Sequence, residues 1–310
     1  MFRYGIATRL SGIGVPLLPI RGGHISLFLL WVQALLSLLE RRQIGCYRLP
    51  SEYISGLQFG DLAQLNHDLS SCASLIEQLQ QAMTQAGVRF SVHLPIGLGP
   101  AAADGRTAAQ WRAAVAGHAR LLEILGGQGV IVSHLGSRGD GAALRRAAAQ
   151  IEQLAWPARQ WLAIEPDERS VDLSQLLELH NRCGVAVIFD SLHHQINNPE
   201  RISAEAALRG SFGTWPLGVR PKIHLSSQRT EAHVWNDAGQ QRIIAPQAGQ
   251  HADFLNPFEA ADLLAIAAGI RPFDAMIEAK AGELALLRLR EDLRRYRPEV
   301  ADLEERRVHA

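Results

Sequence analysis

Short apolar runs alternate along this chain with longer stretches in which apolar positions recur every three or four residues. The short runs predict strands: "YGIAT" (Tyr4 to Thr8), "GCYRL" (Gly45 to Leu49), "VRFSVHL" (Val88 to Leu94) and "GVIVSHL" (Gly129 to Leu135), then "WLAIEP" (Trp161 to Pro166), "VAVIFD" (Val185 to Asp190), "PKIHLS" (Pro221 to Ser226) and "DAMIEAK" (Asp274 to Lys280). A run such as Val-Ala-Val-Ile-Phe suits a strand covered on both faces, as in a parallel sheet. The longer periodic stretches predict helices over 25–40, 61–86, 107–125, 141–154, 173–182, 204–209, 258–268 and 283–296. Asp172 is placed to cap one helix start, and Gly126-Gly127, Gly184 and Gly269 to stop others.

Eight alternating β and α units predict an α/β fold, a single (β/α)8 TIM barrel with residues 1–310 as one domain. A doubly wound open sheet is the alternative. No glycine-rich phosphate loop follows the first strand, which weighs against its dinucleotide-binding version. There is no internal repeat and no low-complexity segment. The stretch from Ser227 to Pro257 reads as one long irregular loop, and loops of that length are often functional.

"ISLFLLWVQALLSLL" (Ile25 to Leu39) is the most apolar stretch. It falls short of the roughly 20 residues that span a bilayer, and Gln33 and Ser37 interrupt it. It reads as a buried amphipathic helix, with a membrane-associated helix as the alternative. The first residues lack a basic region followed by an apolar one, so they do not read as a signal peptide.

Composition changes this picture only at the margins. A hydrophobic fraction of 47%, a charged fraction of 20% and zero formal net charge describe an ordinary globular protein. The balance excludes a uniformly basic, nonspecific nucleic-acid binder. A local basic groove drawing on Arg48, Arg138, Arg229 and Lys280 is still compatible with it. Cys46, Cys72 and Cys183 have no paired spacing and read as reduced, buried thiols of a cytoplasmic protein.

The candidate chemistry lies at the strand ends. Strand three ends in His93, strand four in His134 and strand five in Glu165. Strand six ends in Asp190, with His193 and His194 just beyond. Strand seven carries His224 and strand eight Glu278, while the long loop adds His251 and Asp253. In α/β folds functional groups gather at the carboxyl ends of strands, and in a barrel those ends share one rim. Any one of these side chains is most simply a satisfied core group. Six consecutive strands ending in a possible ligand predict a metal centre of imidazole and carboxylate, the ligand mixture of zinc and manganese sites.

At these residues the sequence resembles the UV damage endonucleases, metal-dependent barrels related in architecture to endonuclease IV. The resemblance is carried by "SHLG" (Ser133 to Gly136), "IEPDE" (Ile164 to Glu168), "IFDSLHHQINNP" (Ile188 to Pro199), "PKIHLSSQ" (Pro221 to Gln228), "GQHADF" (Gly249 to Phe254) and "MIEAKAGELALLRL" (Met276 to Leu289). It covers most of the chain from about His93 onward. It implies two or three divalent metal ions, Mn²⁺ or Zn²⁺. His93, His134 and Glu165 would hold one. Glu165 would bridge to a second held by Asp190, His224 and Glu278, and His193 and His251 would hold a third. Lys222 matches a lysine that is carboxylated in some members, which makes Glu165 and Lys222 the catalytic candidates. The implied activity is cleavage of damaged double-stranded DNA on the 5′ side of the damaged base. No obligate protein partner is indicated.

The departures from the family fall on substrate recognition. Members follow the histidine of strand three with Pro-Gly-Gln-Tyr, whose Gln-Tyr pair probes the damaged duplex, whereas this chain reads "HLPIGLGP" (His93 to Pro100). The Tyr and Asn of the family's first strand have no clean match in "YGIATRL". Gly282 replaces a lysine, and Phe59 in "SEYISGLQFG" falls near a histidine's place. Two functions therefore stand: a divergent DNA repair endonuclease, or a metal-dependent hydrolase or isomerase acting on a small molecule such as a sugar, nucleotide or peptide. A non-catalytic binding protein on the same scaffold is disfavoured, because it would not require every ligand.

Overall fold

The apolar runs pair edge to edge in one parallel sheet. The structure, a computed structural model, describes residues 1–7, 24–50, 62–237 and 239–305. Thr8, Asp61 and the stretch "SEYISGLQFG" with Phe59 lie outside the described residues. The strands are β1 (Phe2–Ile6), β2 (Cys46–Arg48), β3 (Arg89–His93), β4 (Gly129–His134), β5 (Leu162–Glu165), β6 (Ala186–Val187), β7 (Phe189–Asp190), β8 (Lys222–Leu225), β9 (His233–Asp237), β10 (Gln240–Ile244) and β11 (Phe273–Ile277). The large sheet runs β6-β5-β4-β3-β2-β1-β11-β8-β7. Its two ends are consecutive pieces of one strand, interrupted at Ile188, whose N–H still donates to the Ile164 carbonyl at 2.9 Å. The sheet thus returns on itself as the expected TIM barrel, with the sixth barrel strand made of β6 and β7.

Helices cover the outside: α1 (Ile25–Arg41), α2 (Leu62–Ser70), α3 (Ala73–Ala86), α4 (Gly105–Ile124), α5 (Gly141–Glu152), α6 (Trp156–Arg159), α7 (Leu173–Cys183), α8 (Ser191–Ile196), α9 (Ala204–Gly213), α10 (Pro257–Ala268), α11 (Glu283–Tyr296) and α12 (Pro298–Ala301). Helix α1 buries nine of its 17 residues, from Ile25 to Leu39, and packs along α3. It is the amphipathic core helix its pattern predicts, and no described helix is long and apolar enough to cross a membrane. Asp172 caps α7 in a reciprocal capping box with Gln175, and Gly184 closes that helix in the left-handed region, at φ 72°. Gly269 ends α10 with φ −71° and no left-handed turn.

Two expectations are corrected. The single helix expected over 61–86 is broken between α2 and α3. There the Ser70 and Ser71 hydroxyls donate back to the His67 and Asp68 carbonyls, each at 2.6 Å, a local bonding pattern that competes with helix continuation. The loop expected from Ser227 to Pro257 contains an antiparallel hairpin, β9 with β10, in which Trp235 faces Arg242. Nearly all of its residues are exposed on both faces, so no alternation of apolar and polar positions announces it.

The barrel interior is divided. Along β4, β5 and the sixth strand, Val130, Val132, Ala163, Ala186 and Ile188 pack with Trp215 as a cluster separate from the main core. The other side of the interior is lined largely by charged and polar side chains, with Met276 between Asp274 and Glu278. Asp274 of β11 accepts from Arg3 Nε and Nη2 at 3.1 and 2.9 Å, and from Arg89. The two arginines satisfy a carboxylate with no solvent exposure. Burying it unpaired would be prohibitive.

Candidate metal centre

Successive side chains on one face of a strand are two residues apart, so the rim follows from the interior beneath it. Val130 and Val132 lead to His134, Ala163 leads to Glu165, and Ala186 and Ile188 lead to Asp190. On the polar side Ser91 leads to His93 and Lys222 to His224. Each row ends in a possible ligand where the strand reaches the rim.

The structure brings these ends together in two overlapping sets. His93, His134 and Glu165 form one, and Glu165, Asp190, His224 and Glu278 form the other. Within each, the donor atoms lie within 4.8 Å of one another. Glu165 is the shared member. Its Oε2 lies 3.0 Å from His93 Nε2 and 3.8 Å from His134 Nε2, and its Oε1 lies 2.5 Å from His224 Nδ1. Glu165, Asp190 and His224 are almost completely buried.

The hydrogen bonds around the imidazoles fix how they face the site. Nδ1 of His93 donates to the Leu94 carbonyl at 2.7 Å, that of His193 to the Pro166 carbonyl at 2.8 Å, and that of His251 to the Glu278 carbonyl at 2.8 Å. A carbonyl only accepts, so each Nδ1 carries a hydrogen and each Nε2 is left for the site; at His193 the charges of Asp190 and Glu165 outweigh burial and raise the imidazole to about 9, so a metal there would displace a proton. This backbone orientation of the far nitrogen is usual for metal-binding histidines.

The centre has more acceptors than donors. Asp190 Oδ1 accepts from the His193 N–H at 2.8 Å, but its buried Oδ2 has no hydrogen-bond partner, and neither does His134 Nδ1. Burial pushes the Asp190 carboxyl up to about 8, against the attraction of His193, and the charges of Glu165 and Glu278 add to the rise. Glu278 moves the other way, to about 2, because Arg48 and His224 outweigh its burial. Imidazole nitrogens facing several carboxylates, with one buried oxygen lacking a hydrogen bond, are an arrangement that divalent cations would satisfy. The residues present therefore fit the metal ions their types suggest.

Other expected residues are placed less closely. The ring centroids of His193 and His251 lie 6.5 Å apart. Among the described residues these two do not join a third ligand in a set as tight as the others. Lys222 sits one layer beneath the rim, 1% exposed, with Nζ donating to Ser91 Oγ at 3.4 Å. His194 turns away from the centre, with Nε2 bonded to the Ile202 carbonyl at 3.0 Å and its ring against Phe189. Asp253 is exposed and belongs to neither set. Of the four groove candidates, Arg48 alone contacts ligand residues: Nη2 donates to Glu278 Oε1 and lies 3.2 Å from His224 Nε2. Arg138 and Lys280 are exposed, while Arg229 bonds the Glu231 carbonyl.

Two further side chains were not singled out by the sequence. Glu168 Oε2 lies 3.8 Å from His193 Nε2. It sits inside the "IEPDE" motif, three residues after Glu165, which is the signal that could have found it. Asp274 gives no such signal, because its two arginine partners are far away in sequence. The departure at Gly282 has a backbone reason: this residue starts α11 at φ 56° and ψ −117°, where a lysine would be strained.

The family model described as UV-endonuclease UvdE matches residues 30–308. The chain belongs to the UvdE family. A UV DNA damage endonuclease of Bacillus pumilus is 32% identical over 181 residues, covering 57% of this chain and 52% of that protein. The chain thus spans about half the length of the curated relatives it matches first. Among solved structures, SacUVDE superposes with a TM-score of 0.72 at 21% identity, covering 95% of this chain and 99% of that one. Endonuclease IV of Thermus thermophilus superposes with a TM-score of 0.58 at 14% identity, covering 94% and 99%. These two likenesses show the barrel fold. UvdE is a family of enzymes, and a metal-dependent endonuclease is consistent with the acidic, histidine-rich rim found here.

Proposed function

We propose that this UvdE-family protein is a metal-dependent endonuclease that nicks double-stranded DNA on the 5′ side of a damaged base. In this reading it works as one barrel domain in the cytoplasm and uses two or three divalent ions, Mn²⁺ or Zn²⁺. The observation that carries the proposal is Glu165, a single buried carboxylate common to two ligand sets on the rim.

His93, His134 and Glu165 would hold one ion, and Glu165, Asp190, His224 and Glu278 a second. His193 and His251 would hold a third, with Glu168 beside His193. When bound, such ions supply a water of lowered pKa, charge to clamp a phosphate and stabilisation of the leaving oxygen. The protein supplies the positions. The carbonyls of Leu94, Pro166 and Glu278 lock three imidazoles, and the apolar layer of Val132, Ala163 and Ile188 fixes the ligands above it. A cleft of about 600 Å³ opens over the set, walled by Leu94, Pro95 and Ile96 on one side and by Arg48 and Pro50 on another.

A nicking assay on paired damaged and undamaged oligonucleotide duplexes tests the proposal, with Mn²⁺ and with Zn²⁺. The expected result is cleavage 5′ to the lesion, with binding that weakens as salt rises because phosphate contacts release counterions. No cleavage of either duplex by fully metallated protein overturns it in favour of a small-molecule substrate.

A further inference from the structure

Arg48 stands where two requirements of the site collide. It ends β2, where register with β1 and β3 fixes the strand. Its Nη2 donates to Glu278 Oε1 and lies 3.2 Å from His224 Nε2, and its buried Nε has no partner. Glu278 and His224 both belong to the four-residue ligand set. A guanidinium keeps its charge at any pH the fold survives. It and a divalent cation therefore compete for the same carboxylate and repel each other.

We propose that Arg48 is a resident counter-cation of this centre. It neutralises Glu278 while the four-residue set holds no metal, and metal binding displaces it to hold a phosphate oxygen of the substrate. The inference rests on the reading that this set binds metal. Two observations and one physical argument carry it further than a plain ion pair. Arg48 lines the cleft together with His93, His134, Glu165 and Glu278, so a displaced guanidinium still faces the space a substrate enters. The unpartnered Nε supplies the second donor of a two-pronged contact with a phosphate. A guanidinium released beside new positive charge requires an anion, and a substrate phosphate brings one.

The test is calorimetric. Metal-free wild type, R48Q and R48K are titrated with Mn²⁺, and the loaded proteins are then titrated with inorganic phosphate. R48Q should bind Mn²⁺ about tenfold tighter, because the competitor is gone, and phosphate about tenfold weaker, the effect of losing one charge-assisted contact. R48K should fall between wild type and R48Q for Mn²⁺, and should hold phosphate less well than wild type because it lacks the fork. Added guanidinium ion should restore phosphate binding to R48Q. Equal or weaker Mn²⁺ binding by a folded R48Q overturns the inference while leaving the metal centre standing. So does unchanged phosphate binding. If R48Q does not fold, R48K with wild-type affinity for both ligands overturns it. Absence of Mn²⁺ binding in all three proteins overturns the metal-centre reading, and this inference with it.

Discussion

His93 Nε2 lies 3.0 Å from Glu165 Oε2, although the imidazole already gives its Nδ1 hydrogen to the Leu94 carbonyl. At that distance Nε2 and Oε2 are placed either to share a proton in a hydrogen bond or to ligate one cation. The other oxygen of Glu165 meets His224, so this one side chain couples the two halves of the rim.

Replacing Glu165 with Gln keeps the shape and removes the bridging charge. E165Q should lose at least about one equivalent of metal and about 100-fold or more of its nicking rate. Metal analysis and rate measurement on the same preparation check this. Full metal content and full rate in a folded E165Q would contradict the bridging role.

Asp274 supports the barrel from within and touches no candidate ligand. Burial pushes its carboxyl up, but Arg89 and Arg3 outweigh that and hold it below the ordinary 3.8. A depressed carboxylate stabilises the fold above its unfolded value and loses that contribution as pH falls through its folded value. Wild-type stability should therefore hold above about pH 5 and decline below about pH 4. D274N should cost about 3 kcal/mol at neutral pH, since it takes the carboxylate from the buried Arg89 and the half-buried Arg3 guanidiniums. Urea unfolding of both proteins across that pH range is the measurement.

The barrel was legible because its strands are continuous apolar runs, and the rim because the ligands end those runs. His134, Glu165 and Asp190 each close a row of small or branched apolar side chains, a local pattern the sequence displays. The hairpin around Trp235 was not legible, since a ribbon exposed on both faces has no apolar side to reveal it. The Arg3–Asp274–Arg89 network was not legible either. Its members lie 86 and 185 residues apart in sequence, and only barrel closure makes them neighbours. The place of Arg48 was half legible: its charge suggested a groove, but its contact with Glu278 spans 230 residues.

Lys222 is 1% exposed, burial lowers its pKa, and Ser91 is the hydrogen-bonding partner of its Nζ. An amine whose pKa is lowered gives up its proton more readily, its neutral form can add carbon dioxide and release a proton, and the carbamate would extend an anionic group toward the rim. Protein equilibrated with ¹³C-bicarbonate should show a carbamate carbon signal by NMR, lost in K222Q. A wild-type spectrum without that signal would identify Lys222 as a plain amine.

The loop after His93 lacks the Gln-Tyr pair that the family resemblance associates with probing damaged duplex. Ile96 is 73% exposed, and a Cβ added at Gly97 meets nothing within 4 Å, so both positions accept larger side chains. The double substitution I96Q/G97Y should raise the ratio of nicking on damaged over intact duplex at least about threefold, an energy within the range of one net hydrogen bond. An unchanged ratio would mean that lesion selection is made elsewhere on the rim.

Whether Glu165 joins two metal sites is decided by anomalous diffraction at the manganese edge from crystals grown with Mn²⁺. One peak is expected among His93, His134 and Glu165 and a second among Glu165, Asp190, His224 and Glu278. Crystals with no anomalous peak at either set, or with manganese bound only away from Glu165, would contradict the joining of two sites by Glu165.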